Sequence, residues 1–383
     1  MNVLILSANT GGGHNATARA LTEELSARGI ACTTENTLAF GPKVEEDIVV
    51  DGHTFAYKYL PEVFEAGYKY AENHSAYPIY LNYSKYAPAV KRYIERFGYD
   101  TVICCHVFAS HILTRIRRRY ALPIKQYFIA TDYTCSPGYE LADMDRVFIP
   151  AGLSREFTLA GMDADMLLET GIPVRMACYE PLATAYAREQ VFSEAPITPN
   201  EKLVLVAPGV LDAEQLGYFV RAVRRDVPDA VFVTICGKAN TTLRRQINQL
   251  DLERVFALPY TTRMDLWMKA ADVLVTKPGG LTSTEAVSCG VPTILMDVAP
   301  GLETHNRDYH VNHGCASAAA GVPALYVETV RLLLDEEAAA RMRANQRARF
   351  AGVSVRELVD EVVRQDAEWN ERDVSGTAGE DGR

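Results

Sequence analysis

The sequence predicts an α/β protein of two doubly wound domains, each a parallel sheet covered by helices on both faces. Three observations predict it. Short apolar runs, Asn2–Ser7 first among them, lack the alternation of a half-exposed strand and suit parallel strands buried on both sides. Helical stretches alternate with those runs, as right-handed βαβ units require. The alternation starts afresh at Lys202, after a polar stretch at 192–200 carrying Pro196 and Pro199 that reads as a linker. At roughly 150 residues per domain, 383 residues leave room for two to three.

Taken in order, the first half shows a strand at 2–7, a glycine loop, and a helix from about 15 to 28. Strand-like runs follow at 101–106 and 125–130, with an Arg-rich helix near 112–120 between them. The second half gives strands at 202–207, 230–236, 255–258, 273–276 and 292–296, separated by helices at 213–227, 240–250, 263–271 and 281–289. A last amphipathic helix spans about 355–370. The expected division is a first domain at 1–190, a second at 191–352, a helix at 353–371 packing back on the first domain, and a disordered tail at 372–383. Two such sheets imply a cleft between domains.

Composition narrows the class. The formal charge of −10 argues against a nucleic-acid binder, which needs a broad basic surface. No apolar stretch approaches the ~20 residues of a membrane span. The start of the chain lacks the basic region of a secretory signal. Eight cysteines without a CxxC pair suggest buried thiols in a reducing cytoplasm. One segment departs from the average. Residues 52–130 hold 11 Lys/Arg against 5 Asp/Glu, and ten of the 20 tyrosines fall within 57–99. A basic, aromatic surface suits an anionic membrane face; a helical pair with its tyrosines half in the core would have the same composition.

Four strand-end loops carry the chemistry. Thr10-Gly11-Gly12-Gly13-His14 joins the first strand to the first helix. Glycines let a ligand approach the backbone, and His14 sits where such folds bind ligands, placed to take a proton from an attacking hydroxyl. Lys277-Pro278-Gly279-Gly280-Leu281-Thr282-Ser283-Thr284-Glu285 also joins a strand to a helix. Gly279 and Gly280 open the turn, the amides and hydroxyls of Leu281, Thr282, Ser283 and Thr284 form a helix start suited to a diphosphate, and Glu285 is a carboxylate suited to ribose hydroxyls. The stretch 297–306 reads as a loop whose Glu303 and Asn306 suit sugar hydroxyls. Asp132, in Thr131-Asp132-Tyr133, is placed to orient or activate a base, and His106 ends another strand on the acceptor side with Gly11, Gly12 and Gly13. His305, His310 and His313 lack metal-site spacing, so no metal and no cofactor is expected. These loops suit nucleotide-sugar transfer or another nucleotide-dependent reaction.

The loops at 10–14 and 131–133, Gly171-Ile172-Pro173-Val174-Arg175, the run 277–286 and Pro300-Gly301-Leu302-Glu303-Thr304-His305-Asn306 together resemble the monogalactosyldiacylglycerol synthase and processive diacylglycerol glucosyltransferase group of glycosyltransferase family 28. The resemblance runs in order from residue 3 to about 320. It implies a GT-B fold, inversion at the anomeric carbon without a required metal, a lipid acceptor in the first domain and a UDP-sugar in the second. It gives His14 as catalytic base, Glu285 as ribose ligand and Glu303 as a contact of the donor sugar. Tyr260, with Pro259 and Thr261, would frame the uracil, and Gly209 would lie in the first loop of the second domain. The sequence departs from the family at Leu302, where Gln is usual, at Cys135, and in the glycine-poor loop 207–212.

The expected partners are thus UDP-glucose or UDP-galactose, diacylglycerol and an anionic membrane surface, with no nucleic acid. The expected location is cytoplasmic, peripheral on the inner face of the cell membrane. The alternatives are a UDP-N-acetylglucosamine transferase to a polyprenyl-linked acceptor, a UDP-sugar epimerase, and a non-catalytic UDP-sugar sensor.

Overall fold

The structure is a computed structural model that describes residues 1–9, 12–48, 66–67, 69–71, 74–237, 240–296, 301–350 and 354–377. The chain divides into two units, Met1–Met176 with Gly352–Arg383, and Ala177–Ala351.

In the first unit, strands β1 (Asn2–Ser7), β2 (Ala31–Asn36), β3 (Thr101–Cys104), β4 (Lys125–Ile129), β5 (Arg146–Ile149) and β6 (Leu167–Glu169) form one sheet in the order β2-β1-β3-β4-β5-β6. Every neighbouring pair is parallel. Side chains of a strand alternate between faces, and here both faces are cores. Leu4 and Leu6 join one cluster with Val90, Ile94, Ile112 and Leu113 from the helices Ala87–Phe97 and Val107–Tyr120. Val3 and Ile5 join the other with Ala18, Leu21 and Leu25 of the helix Gly12–Ala27. This is why β1 reads as a continuous apolar run.

The second cluster is completed from far along the chain. Val355, Leu358, Val359 and Val362 recur at helical spacing on one stripe of the helix Val355–Thr377 and are fully buried. Each such burial contributes about 1.5–3 kcal/mol. Arg28 holds Glu24 and Asp360, and the buried Lys125 at the start of β4 pairs with Asp366. The helix continues seven residues past the expected end at 370, to Thr377. The polar stretch 371–375 contains neither Pro nor Gly to stop the helix. Residues 378–383 of the expected tail lie outside the described residues.

In the second unit, β7 (Lys202–Val206), β8 (Ala230–Ile235), β9 (Val255–Leu258), β10 (Val273–Thr276), β11 (Thr293–Met296) and β12 (Ser317–Ala319) pair in the order β12-β11-β10-β7-β8-β9, again all parallel. The division falls at 176/177 rather than at 190/191. The reason is a buried arginine. Arg188, in the helix Thr184–Val191, donates to the carbonyls of Ala270, Thr198, Pro199 and Glu201 and pairs with Asp272 at 2.7 Å. Lys269 adds bonds to the carbonyls of Ala177 and Glu180.

Candidate active site

A doubly wound sheet binds ligands beyond the carboxyl ends of its strands, where the strand order reverses. In the first unit that point lies between β1, which leads on to β2, and β3, which leads on to β4. His14 follows β1, and Cys105 and His106 follow β3. His14 Nδ1 lies 2.8 Å from the carbonyl oxygen of Cys105 and 3.1 Å from Thr131 Oγ1. A carbonyl only accepts, so Nδ1 carries the proton and donates it. The ring's lone pair is therefore on Nε2, the atom needed for a general base.

The helix Gly12–Ala27 begins at Gly12, three residues before the expected start, which places His14 in its first turn. A Cβ at Gly12 would meet nothing within 4 Å, so packing within the chain does not demand glycine there. The preceding loop is braced by Ser7 Oγ donating to Asn15 Oδ1 at 2.7 Å and Asn15 Nδ2 donating to Asn9 Oδ1 at 2.8 Å. Gly11 lies outside the described residues.

His106 caps the helix Val107–Tyr120, its Nδ1 accepting from the Phe108 amide at 3.1 Å. A neutral His106 therefore carries its proton on Nε2. Its ring stands edge-on to His14 with centroids 4.5 Å apart. Two imidazoles of opposite tautomer thus meet at the switch point. His111 does not share the site; it is buried and donates from Nε2 to the Gly138 carbonyl at 3.0 Å. Burial pushes the Cys105 thiol up to about 12, so only its carbonyl serves here. Asp132 is buried beside Thr131, and after burial its charge is the next cause holding the Tyr139 hydroxyl above its usual range.

In the second unit the order reverses between β7 and β10. The loop after β7 contains Gly209 at φ +78°, which a side chain rarely adopts, and closes in a capping box between Asp212 and Gln215. A strong cap thus closes this glycine-poor loop. After β10, Lys277-Pro278-Gly279 leads into the helix Gly280–Cys289, whose start has no side-chain cap. Its first amides are presented as an anion site requires. Thr282 and Glu285 are half-buried and Leu281 is buried. The hydroxyls of Ser283 and Thr284 turn back onto the carbonyls of Gly279 and Gly280, each at 2.6 Å. Both are buried, so of the expected row of hydroxyls only that of Thr282 belongs to a residue that is not buried.

The stretch read as a loop at 297–306 is helical from Leu302 to Asn312, starting after Gly301 at φ +102°; residues 297–300 lie outside the described residues. Glu303 is in its first turn and Asn306, one turn on, is fully buried. Glu303 Oε1 lies 2.8 Å from Lys277 Nζ, and a Cβ on Gly279 would approach that oxygen to 3.9 Å. Beyond β8 and β9 a pocket of about 240 Å³ is lined by Cys236, Gly237, Asn240, Arg244, Pro259 and Tyr260. Among the described residues no group of three or more His, Cys, Asp or Glu side chains is placed to hold a metal ion.

The tyrosine-rich segment is divided. Tyr83, Tyr86 and Tyr99 are buried in the core, Tyr70 and Tyr77 are exposed, and Tyr57, Tyr59 and Tyr68 lie outside the described residues. Ile79 and Leu81 are exposed with Tyr77 on the helix Tyr77–Ser84. Val44 and Ile48 are exposed on helical residues 43–48. Glu45 bonds both Lys85 and Tyr86, tying the two stretches together. Among the described residues no helix is long and apolar enough to cross a membrane.

Residues 14–174 match the monogalactosyldiacylglycerol (MGDG) synthase family and residues 188–349 the glycosyl transferases group 1 family. The processive diacylglycerol beta-glucosyltransferase of Bacillus subtilis is 26% identical over 379 residues, covering 95% of each chain. The two matches together span most of the chain, which is a glycosyltransferase similar to these enzymes. Its fold is GT-B, with two Rossmann-like domains. The structure of Acinetobacter baumannii MurG resembles it with a TM-score of 0.60 at 14% identity, covering 95% of this chain and 100% of that one. The UDP-GlcNAc 2-epimerase of Neisseria meningitidis resembles it with a TM-score of 0.61 at 15% identity and the same coverage. Those two likenesses concern the fold alone.

Within this glycosyltransferase, the sequence points to His14 and Glu303 as candidates but not to the groups that hold them. The Cys105 carbonyl carries no sequence signal, because any residue supplies one. Lys277 stood in a quoted motif without a role. Asn240 and Arg244 line the pocket after β8, and the end of that strand was the available signal.

Proposed function

We propose that this enzyme transfers a hexose from a UDP-sugar to the free hydroxyl of diacylglycerol, or of a glycosyl-diacylglycerol, in a single inverting displacement. The observation that carries the reading is the Cys105–His14 hydrogen bond, which leaves Nε2 of His14 as a base. The acceptor hydroxyl loses its proton to that nitrogen as its oxygen attacks the anomeric carbon. The bond from that carbon to the diphosphate breaks, and UDP leaves with the electron pair. Negative charge then grows on the diphosphate, where the uncapped start of the helix Gly280–Cys289 opposes it. Glu285 holds the ribose, Glu303 the sugar, and the pocket beside Tyr260 the uracil.

Diacylglycerol as acceptor is supported by the names of the relatives and by the exposed Tyr77, Ile79, Leu81, Val44 and Ile48, which would meet the membrane. Lys43, Lys69 and Arg119 are exposed on the same unit, and they favour an anionic surface on the inner face of the cell membrane. Glucose is the sugar in the relatives' name.

The test is incubation of the full chain with diacylglycerol in anionic micelles and either UDP-glucose or UDP-galactose, with EDTA, followed by separation of the lipids. A new glycolipid in the presence of EDTA is expected, formed faster from UDP-glucose. Release of free sugar or an epimerised nucleotide without lipid product contradicts the reading.

A further inference from the structure

The second half-site carries an electrostatic conflict. A nucleoside diphosphate is an anion, and the amides that open the helix at Gly280, next to Gly279, are where this reading seats its phosphates. The Glu303 carboxylate reaches the same place, since Oε1 would be only 3.9 Å from a Cβ on Gly279. Two like charges so close repel, and partial burial strengthens the repulsion. The side chain of Glu303 is 13% exposed, so water screens it little. Such a carboxylate should expel the donor.

Lys277 resolves the conflict. It follows β10 directly and its Nζ meets Glu303 Oε1 at 2.8 Å. Pro278 and Gly279 separate it from the helix start, so the cation and the first amides are fixed by one short stretch of backbone. We propose that Lys277 neutralises Glu303, so that a carboxylate needed for the sugar can stand beside a diphosphate. Lys277 is a positioning residue for Glu303 rather than a phosphate grip. Lysine is a compact point charge, and one already paired to a carboxylate has its charge largely spent on it. The inference rests on the donor reading above, and it assigns Lys277 a role distinct from that of the glycine pair.

The test is calorimetric titration of UDP into the full chain and four variants. Lys277→Met should weaken UDP about tenfold, because it strips the counter-charge from a carboxylate left in place. Lys277→Arg should bind within about twofold of the parent, since it restores the pair. Glu303→Gln should bind UDP at least as tightly as the parent. The decisive variant is the double change Lys277→Met with Glu303→Gln, which should recover the parent affinity, because no charge is left to neutralise. If the double variant stays as weak as Lys277→Met, the lysine grips the phosphates itself and the proposal is wrong. Unchanged UDP binding in Lys277→Met also overturns it. Absence of UDP binding by the parent chain overturns the donor reading first and this inference with it. Thermal unfolding of each variant separates lost affinity from lost fold.

Discussion

His14 Nδ1 lies 2.8 Å from the carbonyl oxygen of Cys105, and that contact decides which ring nitrogen can take a proton. In a serine-protease triad a carboxylate does the same work for its histidine. Here a main-chain carbonyl does it. A carbonyl cannot be lost by substitution, only displaced by moving the end of β3. It also holds no full charge, so this hydrogen bond by itself pulls on the imidazole less than a carboxylate's would.

Thr131 is the second partner of that nitrogen, at 3.1 Å. Thr131→Val keeps the side chain's shape and removes the hydroxyl. One neutral hydrogen bond contributes about 0.5–1.5 kcal/mol. Turnover should therefore fall about 3- to 10-fold, with KM for the UDP-sugar unchanged. Steady-state kinetics with the donor varied checks both halves of this expectation. A raised donor KM with unchanged kcat would place Thr131 on the sugar and not on the base.

The helix Val355–Thr377 closes one face of the first sheet with four fully buried side chains. At about 1.5–3 kcal/mol each they sum to roughly the whole stability of an ordinary domain. Deleting residues 354–383 should leave Met1–Met176 open to proteolysis and abolish transfer. Limited proteolysis with UDP titration is the measurement. Protease resistance of 1–176 in the shortened chain would show that the stripe is dispensable.

His310 is fully buried, and burial, with His313 and Arg349 nearby, pushes its imidazole down to about 3. The unfolded chain binds a proton near pH 6.5 that the folded chain refuses until near pH 3. The stability at stake is present above about pH 6.5 and is lost as pH falls through that window. The loss is at most about 1.4 kcal/mol per unit of pH. Urea midpoints should fall between pH 7 and pH 5, and His310→Gln should make the fall shallower. Equal slopes in parent and variant would mean that the imidazole is protonated while folded.

Much of the fold was legible. The runs at 2–7 and 202–206 are buried on both faces, which is the one condition that writes a strand as an unbroken apolar string. β2 and β12 were illegible for the converse reason. Ala31–Asn36 is a half-exposed edge whose last four residues are all polar, and Ser317–Ala319 is three residues long. The start of the helix Leu302–Asn312 was hidden by Pro300-Gly301 ahead of it, which reads as a loop but serves as a helix entry. Of the candidate site, the side chains proposed to act were legible as strand-end motifs. Their partners were not. Cys105 acts through its backbone, Thr131 lies 117 residues from His14, and Lys277 meets Glu303 across 26 residues. Ser283 and Thr284 misled because a hydroxyl near a helix start can satisfy the backbone as readily as a ligand.

The central claim is that His14 supplies the chemistry while the second unit supplies the donor. The most direct measurement is His14→Ala, assayed for glycolipid formation and titrated with UDP on the same preparation. General-base help is worth about 10²–10⁴-fold. The account predicts kcat lower by that factor with UDP affinity within about twofold of the parent. Turnover equal to that of the parent, at equal UDP affinity, contradicts it.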